Sequence, residues 1–258
     1  MTKLVGKGYD RAANMSGSLS GVKKRIQELY PKVMYVHCAS HRLNLVLGES
    51  LSLPSVTNAL EVVKETTNLF RFNYQAASVL KNNITKLLPD SKKARLLGLC
   101  ETRFIKRHDA VNTFADLLSA IVPSLQDRSQ CNRTFSSTAS SLLAAMEKGN
   151  FIVALLVRKY LFSLTLLLSS YLQNPQHDLV SPISYCENTL IMFQSLRASD
   201  NDDNKQFTEI FLKSVITADN LFGTVIVVPR QAKKQTTRNN HPHNSVEQYY
   251  LRSIFLPV

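Results

Sequence analysis

A single carboxylate, Asp10, lies in the stretch GYDRAANMSG, directly after a short β-prone run at residues 3–9. A carboxylate at the end of a strand is well placed to hold a divalent metal ion, but metal-assisted chemistry on phosphates needs several such ligands. An aspartate on its own in this position more often caps a loop than it catalyses a reaction. The residue type by itself therefore leaves the role of Asp10 open.

Cys38 and His41 form a C-x-x-H pair where a predicted strand passes into a predicted helix. A zinc site would need two further ligands at suitable spacing. The other candidates are remote in the sequence: Cys100, His108, His241 and His243. We therefore expect a packed cysteine beside a hydrogen-bonded histidine, and no bound metal.

The segment CETRFIKRHDAV places Arg103, Lys106 and Arg107 around Phe104. An aromatic ring among cationic side chains can stack on a base while the charges hold phosphates. A solvated helix start with one buried phenylalanine would produce the same sequence. These four residues are candidates for nucleic-acid binding, and the purely structural interpretation stays equally open.

The charge of the whole chain favours an anionic partner. Its 258 residues include 31 Lys and Arg against 19 Asp and Glu, which gives a formal net charge of +12. Such a balance is typical of proteins that bind nucleic acid, although a basic protein without a specific anionic partner would share it.

The four cysteines form no C-x-x-C pair, which favours a reducing compartment. The sequence contains no Gly-rich phosphate loop, G-x-S-x-G or H-E-x-x-H.

The most apolar stretch is FIVALLVRKYLFSLTLLLSSYL, which begins at Phe151. Arg158 and Lys159 divide it into two runs, each shorter than the roughly 18 apolar residues that a membrane-spanning helix needs. We therefore expect a buried helix and no membrane association.

The first 53 residues alternate between strand and helix twice, with strands predicted at 3–9 and 33–40 and a helix after each. This order is typical of an α/β unit. From Pro54 to about residue 222, apolar residues recur at helical spacing and no convincing strand is found. The predicted fold class is therefore α/β plus all-α. Four regions are predicted: an α/β unit (1–53), a mostly helical region (54–228), a basic linker (229–245) and the start of a C-terminal apolar segment (246–258).

Four blocks of sequence occur in a characteristic order: GKGYDRAANMSGSLSGVKKRIQELYPKVMYVHCASHRLNLVL, CETRFIKRHDAV, FIVALLVRKYLFSLTLLLSSYLQNPQHDL and PRQAKKQTTRNNHPHNSVEQYYLRSIFLPV. Together they cover nearly the whole chain, and they resemble the hAT superfamily of transposases and proteins domesticated from it. The zinc finger MYM-type proteins and the THAP-type repressors are the most similar groups. The resemblance implies a ribonuclease-H-like core, of which residues 1–53 would be a part, interrupted by a large helical insertion.

The resemblance also implies a mechanism in which three carboxylates hold two divalent metal ions. Asp10 matches the second of these acids, and the first and third are expected in parts of the family's fold outside this sequence. One carboxylate cannot hold two metals about 3.5–4 Å apart. We therefore expect Asp10 to be vestigial and the chain to be no enzyme and to need no cofactor, with Mg²⁺ or Mn²⁺ relevant only in a complete transposase.

Further expectations follow from the same resemblance. Cys38 and His41 match the family's C-x-x-H and are expected to have a structural role. Phe104 stands where the family has a tryptophan, so the ring face for stacking is kept and the indole N–H is lost. The expected localisation is the nucleus, otherwise the cytoplasm. The expected partners are DNA, bound without sequence preference, and a second protein or a second copy in the full-length form.

The function expected from these features is that of a non-catalytic remnant of a hAT-type DNA transposase with residual non-specific DNA or protein binding. One alternative is the central fragment of a longer transposase, active or domesticated, that uses the three-carboxylate mechanism. A second is a helical protein-interaction module with no nucleic-acid role. Salt dependence separates DNA binding from this last alternative, because phosphate contacts weaken steeply as salt is added.

Overall fold

The structure is a computed structural model that describes residues 6–9, 13–17, 20–50, 53–100, 104–129, 133–173, 181–198, 204–230 and 243–257. Two candidate site residues, Asp10 and Arg103, lie outside the described residues, as does most of the predicted linker.

The N-terminal unit is built on two parallel strands, with Gly6 opposite Met34 and Tyr9 opposite His37. Its elements in chain order are β1 (Gly6–Tyr9), α1 (Ala13–Ser16), α2 (Val22–Leu29), β2 (Met34–His37) and α3 (Ala39–Ser50). The predicted alternation of strand and helix is therefore confirmed. The sequence pattern does not predict α1, which forms a helical turn between β1 and α2.

Side chains alternate across the two strands, as the pleat of a sheet requires. Tyr35 points to the half-buried face, where Lys23 of α2 places its ammonium group 4.5 Å from the centre of the ring. Met34 and Val36 point to the opposite face, and these side chains are 65% and 60% exposed. Helix α2 therefore covers one face of the sheet, and among the described residues none covers Met34 and Val36 on the other, which we call the open face.

The rest of the described chain is mostly helical, and no strand occurs in the described part of residues 54–222, as predicted. The helices are α4 (Pro54–Phe72), α5 (Tyr74–Leu87), α6 (Phe104–Asp116), α7 (Leu118–Ser129), α8 (Arg133–Met146), α9 (Gly149–Gln173), α10 (Ser181–Ala198), α11 (Lys205–Phe222), α12 (Val246–Tyr250) and a C-terminal π-helix (Leu251–Phe255). We call the part from α4 onward the helical body.

Helix α9 lies at the centre of the helical body and contacts α3, α4, α6, α8, α10, α11 and the π-helix. By length and composition it is the one described helix that could cross a membrane, but 61% of its most apolar stretch is buried inside the protein. Helices that surround it on several sides supply the apolar environment that such a sequence needs. The expectation of a buried core helix agrees with this packing.

Glycine is required at two points around the centre of the helical body. Gly223 ends α11 with φ of 64°, a left-handed conformation that other residues adopt at a cost. At Gly149, the first residue of α9, a Cβ atom would come within 2.9 Å of the Tyr250 hydroxyl oxygen and 2.8 Å of Ile226 Cγ2. The small residue therefore lets two later parts of the chain approach the start of α9.

The C-terminal segment packs into the helical body. Tyr250 is fully buried and donates a hydrogen bond of 3.0 Å from its hydroxyl to the backbone oxygen of Val227. Ile254 and Phe255 of the π-helix are also buried and belong to the same apolar core. Residues 246–257 thus share a core with the predicted helical region, and the predicted domain boundaries stay predictions.

Candidate nucleic-acid interface

The start of α6 brings two of the four basic–aromatic candidates onto one helical turn. Lys106 is exposed, and Arg107 is half-buried and donates a hydrogen bond of 3.4 Å from Nε to the backbone oxygen of Cys100. Phe104 is the first residue of α6, and its side chain is outside what the structure describes. The structure thus places Lys106 and Arg107 together and leaves the positions of the Arg103 and Phe104 side chains as predictions.

A buried arginine on α9 adds to the positive charge near Arg107. Arg158 is only 2% exposed, and its Nε and Nη1 atoms have no hydrogen-bond partner among the described residues. Its guanidinium stacks on Phe162 at 4.3 Å from the ring centre. Burial, and to a lesser degree the charge of Arg107, lowers the pKa of Arg158 to about 9. Two cationic groups therefore share the α6–α9 interface.

A buried histidine lies beside this arginine pair. His108 is 3% exposed, its ring centre is 6.1 Å from that of Phe162, and its Nε2 atom lies 2.8 Å from the amide nitrogen of Asn112. Burial is the main cause that lowers its pKa below 6.5; the charge of Lys93 acts in the same direction, and that of Asp109 opposes it. His108 therefore has its neutral ring in the interior and does not supply a third positive charge at neutral pH.

At the other end of α6, the carboxylate of Asp116 forms ion pairs with two lysines and is therefore not free to bind a metal ion or a ligand. Asp116 accepts hydrogen bonds of 2.6 Å from both Lys93 and Lys159, and all three side chains are partly exposed. Burial alone would raise the pKa of Asp116, but the hydrogen bonds and charges of the two lysines outweigh it and lower that pKa. Asp116 thus ties α6 to α9 and to the α5–α6 connection.

Cys38 and His41 sit at the junction of β2 and α3, where the sequence placed them. The backbone N–H of Cys38 donates to the backbone oxygen of Tyr9 at 3.0 Å, and its own backbone oxygen accepts from Arg42 N–H at 3.0 Å. Cys38 is a half-buried free cysteine, and His41 is half-buried. Cys38 therefore joins the end of the sheet to the first turn of α3. The structural role of the pair stays a prediction.

The described residues do not fit a two-metal site by themselves. Among the described residues, the two strands end at Tyr9 and His37 and Cys38 follows the second strand, and none of these three carries a carboxylate. Within the described ranges, no group of three or more His, Cys, Asp and Glu side chains could hold a metal ion. The role of Asp10, which lies outside those ranges, stays the one that the family resemblance implies.

Sequence reasoning missed Arg158 as part of this site. In the sequence it appeared only as a charge that interrupts an apolar run, beside Lys159. The structure separates the two residues, since Arg158 is buried against Phe162 while Lys159 reaches Asp116 at the surface. A charged residue inside an otherwise apolar helix is the signal that could have pointed to it, because burial of a charge is costly and therefore informative.

The chain is similar to a known repressor from two mammals. It is 29% identical over 180 residues to the 52 kDa repressor of the inhibitor of the protein kinase from Homo sapiens, and this match covers 67% of the chain and 24% of that protein. The protein of the same name from Mus musculus is 28% identical over 181 residues, with the same coverage. The chain therefore spans about a quarter of the length of these relatives.

No protein-family model matches the chain, and no solved structure matches it. The similarity to the repressors agrees with the resemblance to the repressor group that the sequence blocks indicated. The derivation from a hAT transposase and the ribonuclease-H-like core stay predictions.

Proposed function

We propose that the chain is a non-catalytic derivative of a hAT-type transposase that acts in the nucleus and binds DNA through its basic surface, without sequence preference. Its similarity to proteins named as repressors supports a regulatory role over an enzymatic one. The parallel β–α–β arrangement of residues 6–37 is compatible with part of a ribonuclease-H-like core. In a longer form of the protein, a second protein or a second copy is a further proposed partner.

The observation that carries this proposal is the cationic start of α6. Lys106 is exposed there, and Arg107 is half-buried and close enough to the buried guanidinium of Arg158 for its charge to lower the pKa of Arg158. Arg158 is buried with its Nε and Nη1 atoms unpartnered among the described residues, which is costly, and an anion held nearby by Lys106 and Arg107 would reduce that cost. Phosphate is the anion that such basic clusters bind most often in nucleic-acid complexes.

The non-catalytic part of the proposal rests on the sequence. Asp10 is the one residue that the resemblance matches to a metal-binding carboxylate, and a two-metal mechanism needs more than one. The protein's own residues are therefore proposed to bind DNA and not to cleave it, without a cofactor. In a complete transposase with all three carboxylates, Mg²⁺ or Mn²⁺ would supply the chemistry instead.

DNA binding is tested by fluorescence anisotropy with two labelled duplexes of unrelated sequence. We expect equal and weak binding, with Kd of about 10⁻⁴–10⁻⁶ M, that is lost between about 50 and 200 mM salt. Lys106→Gln and Arg107→Gln should each weaken binding to both duplexes. Lys213→Gln, which removes an exposed lysine of α11, is the matched control. Salt-insensitive binding, or tight binding to one duplex alone, would contradict the proposal.

Catalysis is tested by incubating the purified chain with supercoiled DNA and Mg²⁺ or Mn²⁺. We expect no nicking. Cleavage that Asp10→Asn abolishes would overturn the non-catalytic proposal and favour the alternative of an active transposase fragment.

A further inference from the structure

A cavity of about 370 Å³ lies between α4, α5 and residues 94–98 of the segment that joins α5 to α6. Its apolar lining includes Phe70, Leu80 and Leu96, each at most 3% exposed. A cavity of this volume is within the range of sites that hold a small ligand or a side chain of a partner. None of the residues so far connected with DNA binding lines it.

Two arginines stand in the same lining. Arg71, at the end of α4, and Arg95 are both exposed, and no acidic residue is among the described residues that line the cavity. The guanidinium of Arg71 lies directly against Gly98, where a Cβ atom would collide with Nη1. The cavity thus combines an apolar interior with positive charge that is open to solvent.

The segment beside the cavity is irregular. Residues 94–99 belong to no helix or strand, and their N–H and C=O groups make no backbone–backbone hydrogen bond within the described part of the chain. Such groups are available to an extended peptide, which can supply both donors and acceptors along its length.

Large apolar side chains are exposed on the cavity lining and in the sequence beside it. Leu97, which lines the cavity, is 38% exposed, and Phe72 and Tyr74, at the junction of α4 and α5, are 80% and 88% exposed. Exposed apolar residues that form a patch mark interaction surfaces more often than single ones do.

We call the cavity, the two arginines and residues 94–99 together the groove. We propose that the groove docks a short acidic peptide segment of a partner protein. An apolar side chain of the peptide fills the cavity over Phe70 and Leu80, and its flanking carboxylates pair with Arg71 and Arg95. The peptide backbone runs beside residues 94–99 and bonds to their N–H and C=O groups. The groove is thereby a protein-binding site that goes beyond the DNA binding proposed above and does not depend on it.

Nucleic acid is the competing occupant, since phosphates would also satisfy the two arginines and bases could stack on the exposed rings. A nucleic acid, however, carries no aliphatic side chain that would fill the cavity. The apolar interior of the cavity therefore favours a peptide.

The probe is a fluorescent peptide in which glutamates and serines flank one central leucine, titrated with the full chain. Arg71→Gln and Arg95→Gln should each weaken peptide binding about tenfold, the factor that corresponds to ~1.4 kcal/mol for one charge-assisted hydrogen bond. Ala77→Leu, which extends a half-buried side chain of the lining into the cavity, should weaken it without any change in charge. Arg42→Gln, at an exposed arginine of α3, is the matched control and should bind as the parent does.

Peptide variants test the same contacts from the other side. Replacement of the glutamates by glutamine, or of the leucine by serine, should abolish measurable binding. Lys106→Gln should leave peptide binding unchanged, so that failure of the DNA proposal and failure of this one are distinguishable. Circular dichroism and thermal unfolding of each variant establish that it is folded.

Two outcomes would overturn the proposal. One is peptide binding that is equal for the glutamate and glutamine peptides, or insensitive to Arg71→Gln and Arg95→Gln. The other is a single-stranded oligonucleotide whose binding needs both arginines while the peptide does not bind, which would make the groove a nucleic-acid site.

Discussion

The N-terminal α/β unit and the helical body use apolar residues in opposite ways. Val33 is the only buried apolar side chain among those described in residues 6–50, and Met34 and Val36 face outward from the sheet. In the helical body, Phe114 and Ile121 are fully buried in one continuous core. Two strands and a few short helices cannot enclose a core, whereas helices packed around α9 can. The stability of the described structure therefore resides in the helical body.

The largest expected difference between the two regions concerns side-chain truncation. Phe114→Ala should lower the free energy of unfolding by about 3–5 kcal/mol, because it leaves a cavity beside Phe151 in the core. Met34→Ala should change it by less than about 0.5 kcal/mol, since the side chain is 65% exposed. Urea unfolding followed by circular dichroism measures both. Equal costs for the two variants would show that the open face of the sheet is covered by something in solution.

Two glycines test whether the two regions differ in how tightly they are packed. Gly149→Ala should destabilise the protein by about 1–3 kcal/mol, because the new methyl group meets Tyr250 and Ile226. Gly48→Ala, within α3, meets nothing within 4 Å and should stabilise by up to about 1 kcal/mol through helix propensity. Thermal unfolding of the two variants gives opposite shifts if this is correct, and shifts of the same sign would contradict it.

Helix capping also differs between the regions. Asn204 caps α11 by accepting from Phe207 N–H at 3.0 Å, and its amide donates to the backbone oxygen of Leu196 at 2.9 Å. Helix α2, by contrast, is preceded by Gly21, which supplies no side-chain cap. Asn204→Ala should cost about 1–2 kcal/mol of unfolding free energy. Asn204→Asp keeps the cap acceptor and should cost less. An alanine variant as stable as the parent in urea unfolding would mean that the cap is not formed.

The smallest expected effect is the pH dependence from the buried histidine of the helical body. Because burial lowers the pKa of His108 below 6.5, the unfolded chain takes up a proton at higher pH than the folded protein does. Stability from this group is therefore fully present above pH 6.5 and is lost as the pH falls below it. Urea midpoints measured between pH 8 and 5 should decrease, and His108→Gln should show a shallower decrease. An unchanged slope in the variant would assign the effect to other groups.

The sequence predicted the order of elements well because local patterns specify them. The alternation at residues 1–53 and the helical spacing after Pro54 both reflect which faces can be buried. It did not predict the helical turn at Ala13–Ser16, since four residues are too few to show a period. The sequence indicated that Lys106 and Arg107 lie near the start of a helix. It could not show that Arg158, which is remote in sequence, lies near Arg107.

Composition and periodicity by themselves therefore determined the basic character, the β–α–β start and the helical remainder of the protein. Only the tertiary structure decided which charges are buried and which are open. Arg158 and Lys159 are adjacent in sequence, yet one is stacked on Phe162 inside the protein and the other pairs with Asp116 at its surface. The same holds for the groove at Arg71 and Arg95, whose parts come from α4, α5 and the segment before α6. Burial depends on how elements pack. The local sequence around a residue carries no information about which distant element covers that residue.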